Sequence, residues 1–410
     1  MVYRWLALAG FLAMMGPPTD GAEGPPAGAV RFATFNASLN RERSGDLARE
    51  LEGGGNPQAR NVAEIIQRVR PDILLVNEFD YDPDGRSVTV FHDQYLAVGQ
   101  SGAVPITFPF RFSDEVNTGV TSGHDLDCDG KVAVEAGSRA YGNDAFGFGL
   151  FPGQYGMAIY SRFPIDRDKV RRFGRVLWRD LPGGLLPTRA DGSPWYSADA
   201  LGVFRLSSKE HWDVPIAIGP GSVVHLLSSH PTPPAFDGPE DRNGKRNHDE
   251  IRLWADYLTG GPKAAYLGPE AAASPPSRFV IVGDLNADPV DGGSVPGAIG
   301  QLLGHPKVDA SFVPASPGAA EASRAQGRAN AAQKGPADRD TADFDDRSVG
   351  NLRADYVLPS KGLKVVGGGV FWPEADDPLA RLVRMTPAVA SSDHRLVYLD
   401  IAIDEGSPKR

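Results

Sequence analysis

Four short segments in this chain end in polar residues of related chemistry. They are RFATFN at Asn36, DILLVNE at Glu78, FVIVGDLN at Asp284 and Asn286, and SSDH at Asp393 and His394. Each polar group is expected at or just beyond the carboxyl end of a buried strand. That restricts the chain to a layered α/β protein, because functional side chains gather there where strands run out into loops.

The segments between these runs supply the other layers. Val62, Ile65, Ile66 and Val69 recur at i, i+3, i+4 and i+7, the spacing of an amphipathic helix, and Pro71 stops it before DILLV. Ile251, Trp254, Ala255 and Leu258 predict a second helix, with Asn247 as its cap and Asp249 and Glu250 near its positive end. The prolines and glycines of PTPPAFDGPEDRNGKRN exclude a regular element just before it. Residues from about 81 to 153 and from about 166 to 215 read as insertions that shape specificity over a rigid scaffold. Two low-complexity stretches, near 271–276 and 314–337, read as surface excursions.

Composition narrows the class. A chain of 410 residues with 41% hydrophobic content can bury a substantial core. Its formal charge of −10 argues against broad electrostatic capture of nucleic acid. A nuclease is not excluded by it, since bound divalent cations reverse the local field. Cys128 is the only cysteine, so an internal disulfide is ruled out. Arg4, the apolar run from Trp5 to Met15, and the small residues Gly21 and Ala22 predict a signal peptide over 1–22. The run is too short for a comfortable membrane span. A single domain over 28–404 and a tail at 405–410 complete the expected organisation, with a secreted or periplasmic destination.

Residue chemistry points to a phosphoester. Such a bond is shielded by its own negative charge, so its hydrolysis is helped by a hard cation, an oriented water and an acid for the leaving oxygen. Glu78, at the end of an apolar strand, is costly to bury unless paired or metal-bound, and magnesium takes oxygen ligands of this type. In GDLN, Gly283 permits a tight exit, and Asp284 and Asn286 fall on one side of an extended backbone; the alternative is an Asx-type turn. Asp393 and His394 are adjacent, so on an extended segment they point opposite ways. Arg242, Lys245 and Arg246 form a basic cluster in a loop after His230, suited either to an anionic substrate or to plain solvation. Asp125, Asp127 and Asp129, followed by Gly130, resemble the first half of a calcium loop, although the twelfth position is Ala136 and Glu135 comes one place early. An ordinary Asp/Gly turn is the other reading.

In this order the motifs resemble the endonuclease/exonuclease/phosphatase superfamily. The matching elements are Asn36, Glu78 in PDILLVNEFD, His230 in LLSSHPTPP, Asp284 and Asn286 in GDLNADP, Asp355 in RADYVLPS, and Asp393 with His394 in SSDHRLVYLDI. The resemblance covers about Val30 to Ile403. It implies a four-layer sandwich of two packed β-sheets flanked by helices, here with long loop insertions. It also implies that Asn36, Glu78 and Asp393 surround a magnesium or manganese ion, that Asp284 orients or deprotonates the attacking water, and that Asn286 donates to the phosphate. His230 would serve the leaving oxygen, and Asp355 would orient His394. Ser38 stands where abasic-site enzymes of the family usually carry Asp, and Asn77 where Gln commonly precedes the Glu, which argues against abasic-site repair. Signatures of inositol phosphatases are missing around GDLN.

The expected activity is therefore that of an exported, divalent-metal-dependent phosphodiesterase or nuclease using in-line attack by water. A phosphomonoesterase or sphingomyelinase-like hydrolase shares the chemistry. A non-catalytic binding module is the competing class, and loss of Glu78, Asp284, Asp393 or His394 would have favoured it. The expected substrates are nucleic acid, a nucleotide or a phospholipid headgroup, and the protein is expected to be a monomer with no obligate protein partner. Structural calcium at the Asp-rich loop is the further cofactor expectation.

Overall fold

A computed structural model describes residues 24–403. The expected signal peptide at 1–22 and the tail at 405–410 lie outside the described residues. The strands, in chain order, are β1 (Ala29–Leu39), β2 (Ile73–Phe79), β3 (Phe110–Phe112), β4 (Met157–Ser161), β5 (Arg171–Arg172), β6 (His211–Gly219), β7 (Ser222–Ser229), β8 (Phe279–Asp284), β9 (Ala342–Asp343), β10 (Asn351–Leu352), β11 (Asp355–Pro359), β12 (Val365–Val370) and β13 (Val397–Ala402). They form a six-stranded sheet in the order β12-β13-β1-β2-β4-β3, a five-stranded sheet in the order β11-β8-β7-β6-β5, and a β10-β9 ribbon. Both large sheets are mixed, with β1 parallel to β2 and β7 parallel to β8.

Strand alternation builds the layers. In β2, Ile73 and Leu75 face the other sheet, where Val214, Leu226, Val280 and Val282 meet them in one apolar layer. Leu74 and Val76 point the other way, onto Val62, Ile65 and Ile66 of the Pro57–Val69 helix. The second sheet repeats this arrangement, presenting Leu227, Ile281 and Tyr356 to Ile251, Trp254 and Leu258 of the Arg242–Thr259 helix. A two-residue side-chain period with both faces covered is why these strands read as nearly continuous apolar runs. Each fully buried Leu, Ile or Val contributes roughly 1.5–3 kcal/mol, so the three apolar layers dominate the stability.

Register between β1 and β13 has its own lock. Arg31 lies directly opposite Asp400, and its guanidinium binds both carboxylate oxygens, at 2.7 and 2.9 Å. A one-residue slip would strand both charges inside the protein, and breaking such a pair typically costs about 3–5 kcal/mol.

Four expectations change. The Arg242–Thr259 helix begins five residues before Asn247, so Arg242, Lys245 and Arg246 are helical, and Asn247 is an interior residue rather than the cap. Within the 314–337 stretch, Pro317–Gln326 is a helix with Ala319 fully buried. A Cβ on Gly318 would lie 2.1 Å from the Trp372 carbonyl, so this segment is packed against the domain and is not a surface excursion. The expected insertion over 166–215 contains β5 and the start of β6. Finally, Asp393 and His394 do not follow a strand; they precede β13, whose antiparallel course brings its beginning to the edge where β1 ends.

Candidate active site

That edge is where the polar residues meet. β1 and β2 run out there from one sheet and β7 and β8 from the other, while β11 and β13 begin there. Asp284, the last residue of β8, pairs in register with Asp355, the first of β11. Gly283 makes the exit possible, because a Cβ at that position would sit 2.0 Å from the Ser229 carbonyl oxygen. Glu78, Ser38 and Asn286 all adopt positive φ, between 49° and 55°. Non-glycine residues held this way cost about 1–3 kcal/mol each and concentrate where function requires the geometry.

Asp284 is the hub. Its Oδ2 accepts from Asn36 Nδ2 at 3.0 Å and lies 3.2 Å from His230 Nε2 and 3.6 Å from His394 Nε2. Oδ1 accepts from the Asn286 backbone N–H at 2.9 Å. Burial disfavours its charge, but the two imidazoles and the Asn36 amide outweigh this and hold the carboxyl well below the usual range. His394 Nδ1 is 2.9 Å from Asp355 Oδ2, which also accepts from the Thr341 hydroxyl at 2.8 Å. Although burial opposes the charged ring, Asp355 and Asp284 raise the His394 pKa well above that of a free imidazole. Burial moves Asp355 up to about 6, against the pull of His394. The opposite happens at His230, which burial and then the Lys209 charge lower to about 4. Two imidazoles on one carboxylate are therefore pushed in opposite directions, His394 toward its charged form and His230 toward its neutral form.

Beside this hub, Glu78 accepts from Asn36 at 3.1 Å and from Asn40 at 2.9 Å. Burial, then the charge of Asp393, pushes its carboxyl pKa up. Asp393 is held by the Ser38 hydroxyl at 3.2 Å. Asn36 turns its amide nitrogen to both Glu78 and Asp284, and its oxygen receives the Ser38 N–H at 3.2 Å. In this arrangement Asn36 bridges the two carboxylates.

Two groupings could take a cation. Asp284, Asp355 and His394 have ligand atoms within 4.8 Å of one another. The Glu78–Asp393 pair offers two carboxylates that repel each other, an all-oxygen set that suits a hard divalent ion.

Sequence reading missed the residues that brace the site. Asn247, Glu250 and Trp254 lie at i, i+3 and i+7 on one face of their helix. Asn247 donates to the carbonyls of Thr232 and Leu285, at 2.9 and 3.0 Å. Glu250 accepts from the Thr232 N–H at 2.7 Å and the Ser208 N–H at 2.6 Å, and Trp254 donates to Ser229 at 2.9 Å. One helix face thus holds the chain on both sides of His230, the GDLN turn and the start of β6. The signal was present, since a polar seam inside an amphipathic pattern needs partners, but its partners are remote in sequence.

Both arginines line the cavity. Arg242 has its guanidinium bound to Glu240 and 5.7 Å from the Trp195 ring. Arg246 is buried, and its Nε and Nη2 donate to the carbonyls of Leu206, Phe146 and Arg205, which clamps the insertion. The cavity measures about 470 Å³ and is walled by Phe148, Tyr155, Phe236 and Phe344 above Glu78, Asp284, Asp393 and His394.

The Asp-rich loop closes differently from expectation. Asp125 and Asp127 are joined by Asp144, not Asp129, in a group with ligand atoms within 4.8 Å of one another. Asp125 accepts from the backbone of Asp129 and Gly130, and Asp144 from Leu126 and Ala133, which is how an Asp/Gly turn satisfies itself. If the group binds calcium, millimolar calcium should raise the melting temperature of metal-stripped protein, and Asp127→Asn should remove most of that rise. Identical melting curves with and without calcium would leave the turn as the whole account.

With the geometry in place, the sequence model of the Endonuclease/Exonuclease/phosphatase family matches residues 33–394. The chain belongs to this family. Its members are metal-dependent phosphoester hydrolases, and the four-layer sandwich is the family's fold. No curated protein matches significantly. Among solved structures, an endonuclease/exonuclease/phosphatase from Beutenbergia cavernae is similar at 16% identity, with 92% of this chain and 72% of that chain covered and a TM-score of 0.47. A family protein from Leptotrichia buccalis has 14% identity, 92% and 100% coverage and a TM-score of 0.45. Sphingomyelinase C from Streptomyces griseocarneus has 15% identity, 91% and 99% coverage and a TM-score of 0.43.

Proposed function

We propose that this family member is a divalent-metal-dependent phosphodiesterase that attacks its substrate with water in line with the leaving oxygen. The observation that carries the reading is the buried Asp284 carboxylate, 3.2 Å from His230 Nε2 and 3.6 Å from His394 Nε2, in one cavity with Glu78 and Asp393. Asp284, depleted of protons at neutral pH, orients the attacking water and takes its proton. His394, fixed by Asp355, offers a charged donor to a non-bridging oxygen, where negative charge accumulates. His230 is placed to serve the leaving oxygen, and the Asn286 amide is within reach of the same centre.

Glu78 and Asp393 are the proposed cation holders, with Asn36 positioning Glu78. The Asp284–Asp355–His394 group is the weaker candidate, because Nδ1 of the ring is already bonded to Asp355 and the ring holds its proton. A bound magnesium or manganese ion would neutralise the phosphoryl oxygens and allow an anionic substrate to approach two carboxylates.

A walled cavity of this volume and a net charge of −10 favour a compact diester, or the end of a strand, over a long duplex. The aromatic walls suit an apolar or aromatic substituent on the phosphate. We also propose export through residues 1–22, which cell fractionation with an intact and a deleted segment would test. No helix among the described residues is long and apolar enough to cross a membrane.

The deciding experiment is a hydrolysis panel with manganese or magnesium: plasmid DNA, RNA, a bis-aryl phosphodiester, an aryl phosphomonoester and sphingomyelin. The bis-aryl diester should be cleaved much faster than the monoester. Monoester turnover exceeding diester turnover would transfer the protein to the phosphomonoesterase reading, and no turnover of any would leave a binding module.

A further inference from the structure

Lys209 stands two residues before β6 and is only 7% exposed, yet it lines the cavity with Glu78, His230, Asp284 and His394. Its ammonium forms no hydrogen bond or ion pair with any described residue; only its backbone carbonyl is engaged, accepting from Asn117 N–H at 2.9 Å. The charges that reach it are those of Glu250, Glu78 and Asp284, opposed by Arg246. A largely buried lysine whose ammonium reaches only the cavity gives up hydration without gaining a bonded partner, so it is costly for the fold alone. Its backbone is nevertheless held firmly. Glu250 grips the neighbouring Ser208 through both N–H and hydroxyl, at 2.6 and 2.8 Å, and the same carboxylate holds Thr232, two residues beyond His230.

We infer that Lys209 is a further catalytic residue of this site, whose ammonium binds a non-bridging phosphoryl oxygen beside Asp284 and His230, with Glu250 as its positioning residue. This rests on the phosphodiesterase reading. Lys209 and the cation that Glu78 and Asp393 would hold would then both face the phosphoryl group, and the missing partner of the lysine is the substrate itself. That placement suits an anion, hence a phosphoryl group over a neutral ester.

The test compares Lys209→Met with the wild-type full chain, using the bis-aryl diester in manganese and inorganic phosphate as competitor. Turnover should fall by about 10²–10³-fold, the usual loss on removing one preorganised donor to transition-state charge. Phosphate inhibition should weaken at least about tenfold, while the melting temperature holds or rises, because a buried unpaired charge has been removed. Turnover and phosphate inhibition close to wild type would overturn the proposal, as would losses that merely track a fall in melting temperature. If Lys209→Met fails to fold, Lys209→Gln is read the same way. Calorimetric titration with inorganic phosphate needs no turnover: phosphate binding lost in the variant upholds Lys209 even if the panel finds no substrate, and equal binding defeats it even if the panel succeeds.

Discussion

Excess chelator should abolish phosphodiester hydrolysis by this protein, and magnesium or manganese should restore it. The reason is electrostatic. The charge of Asp393 raises the pKa of Glu78, and both carboxylates line the cavity that holds Asp284. Like charges repel, so the two carboxylates without a cation repel the anionic substrate they are proposed to serve. A divalent ion reverses that sign. Glu78→Gln preserves shape but removes one charge, and should weaken calorimetric manganese binding while cutting turnover by several orders of magnitude. Asp355→Asn should leave manganese binding nearly unchanged, because the carboxylate is committed to His394 and Thr341. If Asp355→Asn loses the metal and Glu78→Gln keeps it, the ion belongs to the Asp284–Asp355–His394 group. Undiminished turnover in chelator, with no metal found by elemental analysis, would end the metal mechanism.

Replacing His394 by Ala should cost about 10²–10⁴-fold in turnover, the range usual for a positioned proton-transfer or charge-stabilising group. Asp355→Asn made in the His394→Ala background should cost little more, since the carboxylate acts through the ring. Two losses that simply multiplied would mean that the 2.9 Å contact is structural only. The pH profile supplies an independent sign. The ring's pKa is raised, so its charged form persists through neutral pH and is lost as pH rises through the raised value. Removing the Asp355 charge lowers that pKa, and the alkaline fall in turnover should therefore move to lower pH in Asp355→Asn. An alkaline limb that stays in place would separate His394 from the titration.

Much of the scaffold was legible because buried strands and amphipathic helices write their periods into a few consecutive residues. Ile73 to Val76 alternate between two apolar layers, and Val62, Ile65, Ile66 and Val69 share one helix face; both patterns are local. The helix starting at Arg242 was hidden for a related reason. Its first turns carry polar residues whose partners come from other elements, Arg246 with the carbonyls of 205 and 206 and Asn247 with Leu285, so no local apolar period announces them. Pro317–Gln326 escaped because alanine and glycine pack closely without looking hydrophobic, as Gly318 does against Trp372.

By itself the sequence determined which residue types stand at the site: Glu78, His230, Asp284, Asp355, Asp393 and His394 follow in the order that marks the family. It also determined the apolar runs that must be buried. Only the tertiary structure decided what each group does. Two histidines with the same intrinsic chemistry have their pKa values pushed in opposite directions, because His394 has Asp355 at its second nitrogen while His230 has burial and the Lys209 charge against it. Asn36 joins Glu78 to Asp284, Arg246 is anchored by backbone carbonyls at the cavity wall, and Lys209 lines the cavity without a bonded partner among the described residues. Ionisation and hydrogen-bond direction depend on neighbours within a few ångströms, and here those neighbours lie tens to hundreds of residues away along the chain.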